Sequence, residues 1–132
     1  MKADPALLYT QLQGAPEEFQ AAAREHYRED VQWSAPARGL LRQGRESLIA
    51  QLLGEAAAMQ DPTFTRLRCS NGDAQCIDEY AVRFTCGREG IDGVPVAVGD
   101  LVELKRVRIL ELLEGKVAKE TSIETWSVLS RD

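Results

Sequence analysis

The sequence predicts an α+β fold in which helices come first and an antiparallel sheet follows. Phe19 and Ala23 recur at helical spacing, and Leu48 and Leu52 belong to a second apolar stripe of the same period. After Pro62 the chain reads almost wholly as strands. Helices that precede a long run of strands gather on one face of the sheet, and a curled sheet leaves a pocket beneath them. We expect the function to reside in that pocket.

The element boundaries follow from proline and turn signals. Pro16 suits the first turn of a helix, where its missing N–H costs nothing, and the residue before Pro62 disfavours the helical conformation. Asn71 and Gly72 tolerate positive φ and indicate a hairpin turn. These signals predict helices over 6–12, 16–29 and 45–59, and strands over 30–33, 64–69, 75–86, 94–113 and 116–129.

Length and composition predict one soluble domain over residues 1–132. Hydrophobic residues make up 44% of the chain and charged residues 28%, which are ordinary values for a globular protein. The formal net charge of −5 argues against a nucleic-acid partner, because phosphate backbones require clustered positive surface. No segment has the roughly 20 apolar residues that span a bilayer, so no membrane partner is expected.

The cysteines predict a reducing compartment and no metal centre. Cys69, Cys76 and Cys86 are odd in number and lack CxxC spacing, which favours free thiols and a cytoplasmic location. Cys69 and Cys76 flank the predicted hairpin turn, so a disulfide between them stays an alternative. A structural zinc site requires four paired ligands, which this spacing does not supply. We therefore expect neither a metal nor another cofactor.

Several motifs together resemble the SnoaL-like domains of the nuclear transport factor 2-like superfamily. The segments 27–36 (YREDVQWSAP) and 44–49 (GRESLI) are similar to the family's Y-x-x-D-V-x-W-x-x-P and G-x-E-x-I marks. The segments 93–95 (GVP) and 114–117 (EGKV) are similar to its later G-x-P and D-G-K-I marks. The resemblance implies a cone: a curved antiparallel sheet with the N-terminal helices packed on its concave face, commonly dimeric through the sheet.

The superfamily includes polyketide cyclases, ketosteroid isomerases and limonene epoxide hydrolases, and their catalytic acids have no counterpart here. Aligned on residues 115–117, the last-strand acid of the cyclases and hydrolases falls on Thr125. The arginine and aspartate of the hydrolases fall on Tyr80 and Val82, and the aspartate of the isomerases falls on Ala35. The resemblance therefore implies that these three chemistries are disfavoured.

The register of the last strand decides which side chains face the cavity. Alternation places Thr125 inside with Thr121 and Ile123, and sends Glu120 and Glu124 to the outer face beside Trp126. Only a one-residue bulge would bring Glu124 inside. We expect Trp126 to contribute to a dimer interface.

Six residues are predicted to line the cavity. If the domain is catalytic, the proton acceptor is His26 or Asp78, since histidine titrates near neutral pH and a buried aspartate can act as a base. Both have a structural alternative, His26 as a hydrogen-bonded side chain at the core edge and Asp78 as the ion-pair partner of Arg108 or Arg106. The predicted ligand-binding residues are Trp33, Tyr80, Thr125 and Arg108.

Three functional classes remain open at this level. The first is an acid–base isomerase, cyclase or hydrolase that acts in an apolar cone pocket. The second is a non-catalytic domain that binds a ligand in the same pocket, and the third is a dimeric interaction domain whose cone is filled by side chains. The expected partners are a small apolar or amphipathic molecule and a second copy of the chain, which makes a homodimer.

Overall fold

The computed structural model describes residues 15–89 and 91–131. This part of the chain contains two α-helices, one 3-10 turn and six strands. The helices are α1 (Pro16–His26) and α2 (Arg45–Ala58), and the 3-10 turn is Pro36–Arg38. The strands are β1 (Tyr27–Ala35), β2 (Leu40–Gln43), β3 (Met59–Asn71), β4 (Gln75–Cys86), β5 (Leu101–Leu113) and β6 (Lys116–Ser130). The helix predicted over 6–12 lies outside the described residues.

The six strands form one curved, unclosed sheet in the order β2-β1-β6-β5-β4-β3. All neighbouring strands pair antiparallel except β1 and β6, which pair parallel. The predicted α+β class with early helices is confirmed, with this one parallel pair added. A parallel pair requires a long crossover between its strands. Here that crossover is the whole of α2 and β2 to β5.

The change from α1 to β1 comes three residues earlier than the helical periodicity predicts. Tyr27 aligns with Val117 of β6, so tertiary pairing overrides helical spacing at this point. Phe19 and Ala23 of α1, with Leu48 and Leu52 of α2, are buried against the inner face of the sheet. The two helices therefore cover the concave side and close the core.

Strand β3 begins directly after α2 instead of after the proline. Asp61 has φ of 50°, and the pairing register shifts between Gln60 and Thr63. Pro62 lacks an N–H and therefore occupies a position where the ladder is interrupted. At the other end, β5 begins at Leu101 and not at residue 94. Gly93 and Gly99, both with positive φ, lie in the connection before it.

A β-bulge in β6 reverses the predicted register of the last strand. Val117 aligns with Leu112 and Lys119 with Glu111, so Ala118 is the extra residue. Val117 is buried, and beyond the bulge the buried positions are Glu120, Ser122 and Glu124. The prediction that Thr125 faces the cavity is wrong, because the inserted residue shifts the alternation by one and leaves Thr125 exposed.

Candidate functional site: a charged interior beneath the helices

The interior of the described residues contains a group of buried ionisable side chains where an apolar pocket was expected. Glu55 comes from α2, Arg38 from the 3-10 turn, and the others from the inner faces of β4, β5 and β6. Burying a charge is unfavourable unless it is paired, so the pairing of each group decides its chemistry. Seven of these residues lie beneath the helices: Arg38, Glu55, Asp78, Arg106, Arg108, Glu120 and Glu124. An eighth, Asp100, is buried just before β5, where it accepts a hydrogen bond from Ala97 N and lies 3.8 Å from Arg131.

Four of these side chains form a closed ion-pair group that we call the central network: Arg38, Glu55, Arg106 and Glu124. Arg38 Nε and Nη2 donate to Glu124 Oε1 and Oε2 at 2.7 and 3.0 Å. Arg106 Nη2 donates to Glu124 Oε2 at 2.7 Å and to Glu55 Oε2 at 3.2 Å. Arg38 Nη2 donates to Glu55 Oε1 at 2.5 Å. Two positive and two negative charges therefore balance within this network.

The environment of Glu124 keeps its carboxylate ionised. Burial would raise the pKa of Glu124, but the charge of Arg106 and hydrogen bonds from Arg38 and Ser122 lower it to about 2. The Ser122 hydroxyl donates to Glu124 Oε2 at 2.5 Å. A carboxylate held in this way is a very weak base near neutral pH. Glu124 is therefore a structural anion in this arrangement.

We expect this depressed pKa to make stability sensitive to acid. The folded pKa of about 2 lies below the ordinary glutamate pKa of 4.5, so Glu124 contributes stability above pH 4.5 that is lost as the pH falls towards 2. Linkage gives about 3 kcal/mol in all, of which about 2 kcal/mol is gone by pH 3. Urea unfolding at pH 7 and pH 3 measures this loss. The Glu124→Gln variant should lose less between the two pH values, and an equal loss would contradict the prediction.

Asp78 and Arg108 form a second, two-point ion pair. Arg108 Nε and Nη2 donate to Asp78 Oδ1 and Oδ2 at 3.0 and 2.7 Å. The guanidinium lies 5.4 Å from the centre of the Tyr80 ring. Both side chains are nearly fully buried. Of the two arginines considered for Asp78, the structure selects Arg108. A catalytic role for Asp78 stays a prediction, and its two hydrogen bonds from Arg108 occupy both carboxylate oxygens.

Glu120 differs from the other buried carboxylates in its partners. Tyr27 Oη donates to Glu120 Oε1 at 2.5 Å, and Trp33 Nε1 donates to Oε2 at 3.1 Å. No Lys, Arg or His of the described residues lies within ion-pair distance of it, although its side chain is buried. Burial and the neighbouring Glu120 charge raise the pKa of Tyr27 well above 10, so Tyr27 remains a proton donor. Burial would lower the pKa of Arg108, but its neighbours, the Glu120 charge among them, raise it well above the ordinary arginine value. Glu120 is thus hydrogen-bonded by two neutral donors and also lies in the field of the Arg108 guanidinium.

The other predicted residues are placed as follows. Trp33 and Tyr80 are buried and face inward, as predicted. Burial raises the pKa of Tyr80 to about 12 against the lowering effect of Arg106 and Arg108. Arg106 Nη1 donates to Tyr80 Oη at 3.3 Å. His26 is the half-buried last residue of α1, and its side chain makes no hydrogen bond or ion pair with residues 15–89 and 91–131. Its catalytic role stays a prediction.

Trp126 lies at the edge of the interior, not on the outer face. Its Nε1 donates to Glu124 Oε1 at 2.8 Å, and its ring meets Phe84 edge-on at 6.3 Å between centroids. The Arg38 guanidinium lies 5.2 Å from the Trp126 ring and 5.9 Å from the Trp33 ring. Trp126 therefore helps to hold Arg38, and the prediction that it lies on the outer face of the sheet is wrong. The homodimer itself stays a prediction.

Arg38 also fixes the connection between β4 and β5. Arg38 Nη1 donates to the Asp92 carbonyl oxygen at 3.3 Å. Gly93 has φ of +80°, and a Cβ there would lie 3.0 Å from Arg38 Cβ. The glycine is therefore required by a left-handed backbone and by its close approach to Arg38.

The remaining expectations concern cysteines, metals and membranes. Cys69, Cys76 and Cys86 are free, and Cys69 aligns with Asp78 across the β3–β4 ladder, so the alternative disulfide does not form. Among residues 15–89 and 91–131, no cluster of three His, Cys, Asp or Glu side chains is placed to hold a metal ion. The same residues contain no helix with the length and apolar character needed to cross a membrane.

Solved structures match this architecture, whereas no protein-family model matches the sequence and no curated protein is similar to it. A protein of Jannaschia sp. CCS1, assigned as a SnoaL-like polyketide cyclase, superposes with a TM-score of 0.72 at 13% identity over 94% of this chain and 90% of its own. The chain has the SnoaL-like fold. The likeness that the motifs indicated is therefore confirmed at the level of the fold.

Two further structures share this fold. IdmH of Streptomyces antibioticus, assigned as a polyketide cyclase, gives a TM-score of 0.67 at 20% identity, with 90% of this chain and 87% of its own covered. A Catenulispora acidiphila protein with a ketosteroid isomerase-like fold, in complex with trimethylamine, gives 0.65 at 11% identity, with 98% and 89% covered. In this chain the last strand of the SnoaL-like fold carries two inward carboxylates, Glu120 and Glu124.

Sequence reasoning missed four of the charged side chains inside this SnoaL-like fold. Glu120 and Glu124 were assigned outward because the bulge at Ala118 has no residue signal of its own. Glu55, by contrast, follows Leu48 and Leu52 at helical spacing, so the apolar stripe of α2 could have placed it inside. Arg38 follows Pro36 in a turn, where periodicity carries no information.

Proposed function

We propose that the protein binds a small molecule in the interior of the cone and moves a proton on it, with Glu120 as the proton acceptor. The observation that carries this proposal is the pairing of Glu120 with Tyr27 and Trp33 alone, in an interior where the other carboxylates are ion-paired. The assignments of the Jannaschia and Streptomyces proteins as polyketide cyclases are consistent with acid–base chemistry on this fold.

The choice among the four carboxylates follows from what protonation would break. Protonating Glu55, Asp78 or Glu124 would remove an ion pair with a buried arginine. Breaking a buried pair by neutralising one partner is strongly unfavourable. Protonating Glu120 breaks no close ion pair with a described residue and costs only the attraction between its charge and the Arg108 guanidinium. Glu120 is therefore the carboxylate best able to cycle between its two protonation states.

Tyr27 and Trp33 position the acceptor, and Tyr80 is proposed as the donor to the substrate. The two hydrogen bonds on Glu120 fix the orientation of its carboxylate. Tyr80 Oη accepts a hydrogen bond from Arg106, which polarises the phenol and makes it a better donor to a developing oxyanion. The proposed ligand is amphipathic, with an oxygen-bearing group near these residues and an apolar body against the core.

The proposal is tested by proton exchange at carbon. The protein is incubated with cyclohexanone or 2-tetralone in D₂O, and loss of the α-proton signals is followed by ¹H NMR. The wild-type protein should accelerate exchange above the rate in buffer, and Glu120→Gln should remove the acceleration. Acceleration that survives in Glu120→Gln would exclude Glu120 as the acceptor.

A non-catalytic ligand-binding role is the second candidate. It is favoured by the central network, because each of its four side chains is ion-paired with other members of the network. Such pairing is typical of an interior that stabilises the fold. In that case ketone probes would bind, as seen by protein NMR shifts, without any acceleration of exchange. Measuring the exchange rate and the protein NMR shifts on the same samples therefore separates the two candidates.

We also propose that the chain forms a homodimer through the convex face of the sheet. Ile77 aligns with Ile109, and Val107 with Ile123, so that aliphatic side chains adjoin across β4, β5 and β6. Ile77 and Ile123 are 38% and 48% exposed. A continuous apolar area of this kind on a sheet surface is typical of an interaction site.

The Ile123→Lys variant should shift the protein from dimer to monomer. A lysine at this position would bury an unpaired charge in the proposed interface, which is strongly unfavourable. Sedimentation velocity at micromolar concentration measures the oligomeric state. Ala50→Lys adds the same charge to an exposed position of α2 and should leave the dimer intact. A wild-type monomer, or a dimer that tolerates Ile123→Lys, would contradict the proposal.

A further inference from the structure

We propose that residues 91–96 form a lid over the charged interior, which opens while the rest of the fold stays intact. This segment belongs to the connection between β4 and β5. Arg38 Nη1 donates to the Asp92 carbonyl oxygen at 3.3 Å, and Ile91 and Val96 pack against the core. The Arg38 side chain beneath the segment is 1% exposed and belongs to the central network. Residues 91–96 therefore cover one side of that network.

Few hydrogen bonds hold the lid. Within the described part of the chain, the bond from Arg38 is the only hydrogen bond between residues 91–96 and the rest of the protein. The chain after the lid is anchored, since Gly99 N donates to the Cys86 carbonyl oxygen at 2.8 Å and Cys86 N donates to that of Asp100 at 2.9 Å. A segment with few hydrogen bonds and few buried apolar side chains opens at a lower free-energy cost than the strands beside it. The lid can therefore move while β4 and β5 stay paired.

A cavity of about 290 Å³ lies between the connection and the end of β4. Ile91, Gly93 and Val96 of the lid line this cavity together with Cys86. The Cys86 thiol is buried, and its Sγ donates to the Arg88 carbonyl oxygen at 3.4 Å. Displacement of the lid would open the cavity and expose this thiol. Cys86 therefore serves as a reporter of lid opening.

The lid is connected to the proposed proton acceptor through two side chains. The Arg38 guanidinium lies 5.9 Å from the centre of the Trp33 ring, and Trp33 Nε1 donates to Glu120 Oε2 at 3.1 Å. Glu120 is 1% exposed, so a ligand reaches it only after part of the protein has opened. The use of the lid to admit a ligand rests on the function proposed above. The opening itself is a property of the chain alone and is measured without a ligand.

The test measures how fast the Cys86 thiol reacts as urea is added. The protein is treated with iodoacetamide near neutral pH, and modification of Cys86 is followed by mass spectrometry of its peptide. A reaction that requires global unfolding accelerates steeply with urea, because global unfolding exposes a large surface. Opening of the lid exposes little surface, so the Cys86 rate should be nearly independent of urea well below the unfolding transition. A rate that follows global unfolding at every urea concentration would overturn the lid.

Two glycine substitutions show whether the opening is that of the lid. Gly93 and Gly115 have φ of +80° and +79°, so alanine is equally strained at both. A Cβ at Gly93 would lie 3.0 Å from Arg38 Cβ, whereas a Cβ at Gly115 would meet nothing within 4 Å. We expect Gly93→Ala to accelerate the Cys86 reaction in low urea by about 10-fold, the factor that corresponds to left-handed strain, and Gly115→Ala to leave it almost unchanged. Equal rates in the two variants would overturn the lid.

A third variant loosens the lid without a change at Gly93. Ile91→Ala removes packing against the core and should also accelerate the Cys86 reaction in low urea. This variant tests the lid even if Gly93→Ala fails to fold, and a rate equal to that of the wild type would contradict the proposal. Circular dichroism checks that each variant is folded.

The outcomes separate the lid from the proposed function. If the Cys86 results overturn the lid, ketone exchange that depends on Glu120 would still support the proposed function through another opening. If Cys86 reacts through the lid and no ketone exchange is seen, the lid is supported and proton transfer on ketones is rejected.

Discussion

The Glu120→Gln variant is expected to reduce the accelerated α-proton exchange of ketones by about 10²–10⁴-fold, the range of a positioned general base. Glutamine keeps the shape of the side chain, and its amide oxygen can still accept a hydrogen bond from Tyr27 or Trp33. It cannot take up a proton at neutral pH. The fold should therefore persist while the exchange is lost, and the measurement is ¹H NMR in D₂O with circular dichroism as the check on folding.

The control for this variant is Glu111→Gln. Glu111 is exposed near the end of β5, so the same chemical change there should alter neither exchange nor folding. A second control separates positioning from proton transfer. Tyr27→Phe removes one hydrogen bond to Glu120 and should lower the exchange rate by less than Glu120→Gln does. If Glu120→Gln matches the wild-type rate, the acceptor is another residue, and His26 becomes the next candidate.

The Arg106→Met variant is expected to destabilise the protein by about 3–5 kcal/mol, because removing one partner of a buried pair leaves the others uncompensated. Arg106 bonds Glu124 and Glu55, and its side chain is 2% exposed. Methionine fills similar volume, so the loss reflects charge more than a cavity. Urea unfolding at pH 7 measures the change in free energy of unfolding.

Arg83→Met is the matched control for that experiment. Arg83 lies on β4 beside β5, pairs with Glu103 at 2.8 Å, and has a 60% exposed side chain. Exposed pairs contribute about 0–1 kcal/mol, so this variant should unfold almost as the wild type does. An equal decrease in the free energy of unfolding for Arg83→Met and Arg106→Met would show that burial does not determine how much an ion pair contributes to stability.

Much of the fold was predictable because its signals are local. The period of Phe19 and Ala23 predicts α1, and Pro16 predicts where it begins. Asn71 and Gly72 predict the turn between β3 and β4, and the predicted strand over 75–86 agrees with β4 at both ends. The boundary between α1 and β1 was misplaced because Tyr27 continues the helical period while its backbone joins β6.

The candidate site was predictable in the middle strands and not in the last one. Asp78, Tyr80 and Arg108 lie on regular parts of β4 and β5, where alternation alone places them inside. The pairing of Asp78 with an arginine of the next strand was also predictable from the need to compensate a buried charge. Thr125 was misplaced because alternation cannot be carried across a bulge.

The sequence by itself determined the α+β class, the order of its elements and the resemblance to SnoaL-like domains, since periodicity, proline and turn residues act within a few positions of the chain. The tertiary structure alone decided which face of β6 looks inward. That choice depends on Ala118, the extra residue of β6 in its pairing with β5. Side chains on a strand alternate between the two faces of the sheet, so one inserted residue moves every later side chain to the opposite face. For this reason Glu120 and Glu124 lie in the charged interior and not on the surface.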